Sequence, residues 1–211
     1  VTTLLHVEAS PRGEASHSAT VARAFVDAYR SLHPERATET VDLWDPAAPL
    51  PPFEGITTAA KAAVMAGKPL APELAATWAA CQAVARRFNA ADRYVFSVPM
   101  WNFSVPYPLK HYIDVVTLPG ENWVWSRETG YRGLLTGKRA VIVYASAGGY
   151  PSGPSYHPDD FQKPFLRRWL QSVGVTDVAE ISVAPTGGGS DRIAAIRQHA
   201  VEEARKLAAS F

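Results

Sequence analysis

The feature that most constrains this chain is an alternation. Short apolar runs rich in β-branched residues take turns with longer stretches of helical period, from one end to the other. The runs fall at residues 4–7, 38–43, 93–98, 140–145 and 178–183. Helical stripes follow them: Val21, Phe25, Ala28/Tyr29 and Leu32; Leu74, Trp78, Cys81, Val84 and Phe88; Leu109, Tyr112/Ile113 and Val116. Two more come later, Phe161, Phe165, Trp169 and Val173, then Ile193, Ile196, Ala200, Ala204 and Leu207. Apolar residues at such intervals lie on one face of a helix. Five rounds of strand and helix predict an α/β fold, one doubly wound five-stranded parallel sheet with helices on both faces. Residues 140–145, Ala-Val-Ile-Val-Tyr-Ala, have no polar interruption, as a parallel strand covered on both sides requires. Residues 38–43 alternate instead, which places them nearer an edge. Right-handed crossovers leave few strand orders, 2-1-3-4-5 among them. The proline-rich stretch 46–52 reads as an extended connection, so residues 1–211 form a single domain.

Composition removes several classes of function. The net charge is +1, with basic and acidic side chains interspersed, so the basic stripe of a nucleic-acid footprint is missing. A lone cysteine, Cys81, excludes an internal disulfide and a cysteine-rich zinc site. Cys81 and Arg87 have the Cys-x5-Arg spacing of phosphotyrosine phosphatases. Their interval is Gln82-Ala83-Val84-Ala85-Arg86, helical rather than glycine-rich, with Cys81 on the apolar stripe. The histidines His6, His17, His33, His111, His157 and His199 lack ligand spacing, so no metal site is expected. Neither a signal-peptide pattern nor a membrane-length apolar stretch occurs, and a soluble, cytoplasmic protein is expected.

In an open parallel sheet, ligands bind outside the carboxyl ends of the strands where the order reverses. Three loops belong there. The first reads Ser10-Pro11-Arg12-Gly13-Glu14-Ala15-Ser16-His17-Ser18 and leads into a helix. Hydroxyls at a helix N-terminus serve as caps, and the same place binds phosphate through free amides and the helix dipole. Both readings stand on the motif alone. No Gly-x-Gly-x-x-Gly and no Walker lysine follow the first strand, which argues against a dinucleotide site and a nucleotide triphosphatase.

The second loop reads Pro99-Met100-Trp101-Asn102-Phe103-Ser104-Val105-Pro106. It fits either ordinary turn chemistry or a wall for a flat heteroaromatic ring, with Asn102 and backbone groups at the polar edge and Phe103 near the open face. The third, Ser146-Ala147-Gly148-Gly149-Tyr150, has paired glycines that let backbone approach a ligand. A phosphate site and a flat-ring site at one end of one sheet favour FMN.

Together these residues resemble the FMN contacts of bacterial FMN-dependent NADH:quinone oxidoreductases, also called NADH-azoreductases. The similarity covers nearly the whole chain and includes Leu109-Lys110-His111-Tyr112-Ile113-Asp114 and Gly133-Leu134-Leu135-Thr136-Gly137-Lys138. It implies a flavodoxin-like homodimer with one FMN per subunit near the dimer interface. Ser10, Ser16 and Ser18, with the His17 amide, would hold the phosphate. Pro99, Met100, Trp101, Asn102 and Phe103 would line the ring with Ser146, Ala147, Gly148 and Gly149. Phe103, Trp123, Trp125 and Tyr150 would meet the substrate. The implied activity passes hydride from NADH or NADPH to quinones and azo compounds, with no catalytic side chain and no metal. Trp101, Ala147 and the segment 121–126 depart from common family residues, so substrate preference is the least transferable property. The alternative from another class is a flavodoxin-type electron carrier, against which the near-neutral charge argues.

Overall fold

Three runs lose water on both faces and become the middle of the sheet. They are β1 (Thr3–Glu8), β3 (Arg93–Pro99) and β6 (Arg139–Ala145), buried along almost their whole lengths. In the computed structural model, which describes residues 3–151 and 156–211, the sheet order is β2-β1-β3-β6-β7 and every pairing is parallel. β2 (Ala37–Asp42) and β7 (Asp177–Val183) are the edges. Counted among themselves, the five strands run 2-1-3-4-5, the expected order; the higher labels arise from a separate hairpin, β4 (Trp123–Ser126) with β5 (Gly130–Gly133).

Successive strand residues point to opposite faces, so the sheet makes two cores. Tyr94, Phe96, Ile142 and Tyr144 pack with residues of α3 (Pro72–Ala90), α4 (Tyr107–Val116) and α5 (Lys163–Val173). On the other face Val95, Val141, Val143 and Ile181 meet α1 (His17–Leu32) and α6 (Ser190–Ala208) through Phe25, Tyr29, Ala200 and Ala204. Cys81 is buried in mid-helix, within a third cluster that includes Trp78 and Leu118. No helix among the described residues is long and apolar enough to cross a membrane.

The structure adds two elements to the sequence pattern and corrects two residues of it. α2 (Gly55–Met65) was not foreseen, because its buried residues are only Thr57 and Ala60 and it carries no large apolar stripe. The β4–β5 hairpin was also missed, its four-residue strands being too short to show a period. Leu32, assigned to the buried stripe of α1, is exposed at the last turn. Phe161, assigned to the stripe of α5, is exposed and precedes the helix, which begins at Lys163 with Pro164 in its first turn.

Candidate active site

The loop after β1 enters α1 through Ser16, whose backbone is extended and whose Oγ accepts from the Ala19 amide at 3.3 Å. That single contact is the helix cap. Ser18 is fully buried, and its Oγ lies 3.3 Å from Ser16 Oγ, so a second hydroxyl is held at the helix mouth beyond what capping requires. Ser10 is buried too and accepts from the Arg12 amide at 3.4 Å. The first amides of a helix have no intrahelical partner. Beside them, His17 Nδ1 is buried without a hydrogen bond among the described residues. Burial lowers the basicity of the His17 ring, and Arg197 and Arg12 add to the effect. A helix N-terminus with clustered hydroxyls, an unpartnered ring nitrogen and positive charge near it is suited to an anion.

The loop after β3 folds back within four residues. Trp101 and Ser104 exchange backbone hydrogen bonds of 2.9 Å each way, and Asn102 and Phe103 between them take φ of +46° and +68°. Two left-handed residues in succession make a turn of the primed type, which glycine and asparagine usually occupy. A phenylalanine there is strained by about 1–2 kcal/mol. The turn does not use the amides of Asn102 and Phe103, and it leaves the Phe103 ring about half exposed, at 52%.

The loop after β6 is tied from outside. Ser146 donates its amide to Val183 O at 3.4 Å, and its own carbonyl accepts from the Thr186 amide and hydroxyl at 2.9 and 3.0 Å. Ala147 O accepts from the Gly187 amide at 3.1 Å, and Ser146 Oγ donates to Gly148 O at 2.8 Å. A Cβ on Gly148 would sit 3.1 Å from the Tyr150 ring, whereas Gly149 faces open space. The Met100 amide donates to Ala145 O at 2.7 Å and the Ala9 amide to Ser97 O at 3.1 Å, so the three loops leave the sheet in register.

A family described as having a flavodoxin-like fold matches residues 2–208. The FMN-dependent NADH:quinone oxidoreductase of Nitratidesulfovibrio vulgaris (strain DP4) is 42% identical, over 99% of this chain and 99% of its own. The chain belongs to this flavodoxin-like oxidoreductase family. FMN-dependent NADH:quinone oxidoreductase 9 of Burkholderia lata is 38% identical over 100% of both chains. An azoreductase structure from Bacillus anthracis superposes with a TM-score of 0.88 at 26% identity, covering 100% of both chains.

In this member of the flavodoxin-like family, the residues singled out from sequence sort into two places. Ser10, Ser16, His17 and Ser18 share the first loop, Pro99, Met100, Trp101, Asn102 and Phe103 the second, and Ser146, Ala147, Gly148, Gly149 and Tyr150 the third, all at the carboxyl edge. Trp123 and Trp125 lie elsewhere. Their hairpin is rooted by Asn122, which donates to Val116 O at 2.6 Å and to Asn89 Oδ1 at 3.0 Å. Those partners end the helices that return to the amino edge, and α4 alone separates them from the second loop by about 15 Å. Trp123 lines a cavity of about 430 Å³ there with Lys61, Met65, Thr117, Tyr131, Arg168 and Ser172. Within one chain, neither tryptophan joins Phe103.

A further aromatic residue, without a local motif to mark it, borders the site. Trp44, just past β2, donates Nε1 to Ala9 O at 3.1 Å, and its ring lies 5.7 Å from Trp101 and 5.4 Å from Tyr107. A tryptophan directly after a strand was the available signal. Among the described residues, no group of three or more His, Cys, Asp and Glu could hold a metal ion.

Proposed function

We propose that residues 1–211 form one FMN-binding domain that passes hydride from NADH or NADPH to quinones and reductively cleaves aromatic azo compounds. The observation that supports this most is the pairing of an anion-suited helix start with two ring-facing loops along one sheet edge. FMN has the matching shape, a phosphate on a short polyol and a flat ring, and when bound it supplies the two-electron chemistry.

The chain's residues then have separate tasks. Ser10, Ser16, Ser18 and the His17 amide hold the phosphate. Loop residues 99–103 and 146–149 would bracket the ring, and their unused amides would favour its binding with added negative charge. Phe103 and Tyr150 flank the open face where flat substrates stack. Donor and acceptor use the same space in turn, which gives a ping-pong cycle. Trp123 and Trp125 reach that space only from a second chain. Trp125 is 58% exposed on its hairpin, in keeping with a homodimer in which each chain covers the other's site. The working location is the cytoplasm.

The test is stopped-flow, anaerobic reduction of the FMN-loaded protein by NADH and by NADPH, followed by turnover with a quinone and an azo dye. Bleaching within seconds by at least one nucleotide is expected. Quinone should turn over faster, since it needs one hydride equivalent and full azo cleavage needs two. A flavin that neither nucleotide bleaches would leave only an electron carrier.

A further inference from the structure

The four residues 160–163, just before and at the start of α5, form a buckle across the backs of the two ring-facing loops. The Phe161 amide donates to Phe103 O at 2.9 Å. Gln162 Nε2 donates to Val98 O at 3.2 Å, where the second loop leaves β3. Lys163 Nζ donates to Tyr150 O at 2.7 Å, closing the far end of the third loop. Asp160 organises Gln162 and Lys163. Its Oδ1 accepts from the amides of Gln162 and Lys163 at 2.9 and 3.0 Å, and its Oδ2 accepts from Lys163 Nζ at 2.8 Å.

The helix start explains Asp160, whose Oδ1 takes two of the amides there, but not Lys163. Lys163 is 1% exposed in the first turn of α5, where a cation opposes the helix dipole. Asp160 is 2% exposed, and a buried ion pair is commonly no more stabilising than apolar residues of the same volume. Two neighbouring polar atoms, Gln162 Oε1 and Tyr144 OH, are buried without partners among the described residues, so these residues alone do not make a fully satisfied core network. What the ion pair does supply is direction. The ammonium is fixed between one carboxylate and one carbonyl, 5.3 Å from the centre of the Tyr144 ring and 5.9 Å from that of Tyr150.

The consequence lies at the loops. Ser146 is held at one end of the third loop and Tyr150 at the other, which leaves the Gly148–Gly149 stretch as its free backbone. At the second loop, Val98 O at the end of β3, the Met100 amide and Phe103 O are all occupied by other segments. The uncommitted amides of both loops are thereby set before any ligand arrives, which is what electrostatic preorganisation requires.

We propose that Lys163 and Asp160 are positioning residues for the flavin ring, acting through the two loops rather than by touching it. This rests on the FMN reading above. The test uses full-length protein: wild type, Lys163→Met, Lys163→Arg, and the double variant Asp160→Asn/Lys163→Met, which removes both charges and keeps an acceptor for the two amides. FMN affinity, the two-electron midpoint potential of the bound flavin, and apoprotein melting are measured for each. The double variant is expected to melt close to wild type. It should bind FMN about tenfold more weakly and bind the reduced form more weakly still. A further tenfold loss for the reduced form corresponds to a shift of about 30 mV to more negative potential. Lys163→Arg is expected to recover most of both losses. A double variant with wild-type affinity and potential overturns the proposal, as does one that does not fold, because the pair would then serve the fold itself. Wild type that retains no FMN would sink the cofactor reading, and this proposal with it, before any variant is compared.

Discussion

The carbonyl of Phe103 accepts the Phe161 amide at 2.9 Å, so a residue strained at a φ of +68° is tied down from a segment far along the chain. Strain persists only where surrounding structure over-determines it, and it collects at functional sites. Phe103→Gly separates the two aspects. Glycine adopts this backbone freely, so apoprotein melting should stay level or rise. The aromatic wall is lost, and KM for a quinone should rise several-fold. A fall in melting temperature with unchanged KM would show that the ring serves packing instead.

At the helix mouth, Ser16 has two tasks and Ser18 one. Ser16→Ala is expected to cost about 1 kcal/mol of apoprotein stability through the lost cap. Ser18→Ala should leave that stability nearly level. Each is expected to weaken FMN binding about tenfold, equivalent to ~1.4 kcal/mol. Fluorescence titration of FMN with urea unfolding of the apoprotein resolves the pair, and undiminished affinity in both variants would remove the phosphate from this loop.

His6 makes stability depend on pH. It is buried in β1 with Nε2 3.2 Å from Ser97 Oγ, while Glu8, 3.8 Å away, is committed to Arg23 at 2.9 Å. Burial first, then the charges of Arg23 and Arg30, push its pKa down to about 3 from 6.5. Above pH 6.5 the ring is neutral in both folded and unfolded chains and has no effect. As pH falls from there towards 3, the unfolded chain takes up the proton first. Stability then drops by about 1.4 kcal/mol per unit. His6→Gln should flatten the change in unfolding free energy between pH 7.5 and 5 by ~2 kcal/mol. Parallel curves for the two proteins would mean that His6 titrates normally.

The hairpin is seated by a backbone contact that leaves no room for a side chain. A Cβ on Gly133 would fall 2.1 Å from Gly174 N and 2.3 Å from the Val173 carbonyl carbon. Gly130 has φ of +66° but open space around it. Gly133→Ala should cost about 3 kcal/mol or more by forcing the hairpin off α5. Gly130→Ala should cost only ~1–2 kcal/mol for the left-handed backbone. For a chain of this size each kcal/mol moves the melting temperature by roughly 2–4 °C, so calorimetry ranks them. The reverse ranking would show that the hairpin has no fixed seat.

Sequence alone determined the layered plan and the chemistry of the three loops. β6 read directly as an unbroken apolar run, and β1 and β3 as apolar runs broken only by His6 and Ser97, because strands covered on both faces have no solvent side to mark. The serines before α1, the Trp101-Asn102-Phe103 turn and the paired glycines were legible because their chemistry is local. What depends on contacts distant in the chain was not. Trp44 matters only because β2 lies beside β1, and α2 is held by packing rather than by a stripe of its own. The i, i+4 spacing of Phe161 to Phe165 suggested a longer helix, whereas the structure turns the Phe161 amide to Phe103 and buries Lys163 against Asp160. Within one chain, tertiary structure also places Trp123 and Trp125 on a separate hairpin, away from the three loops. Gln162 reaches Val98 across 64 residues, and nothing in a local pattern encodes such a partner. A period can say which face of an element is apolar. Which groups that burial brings together is decided only when the elements close on one another.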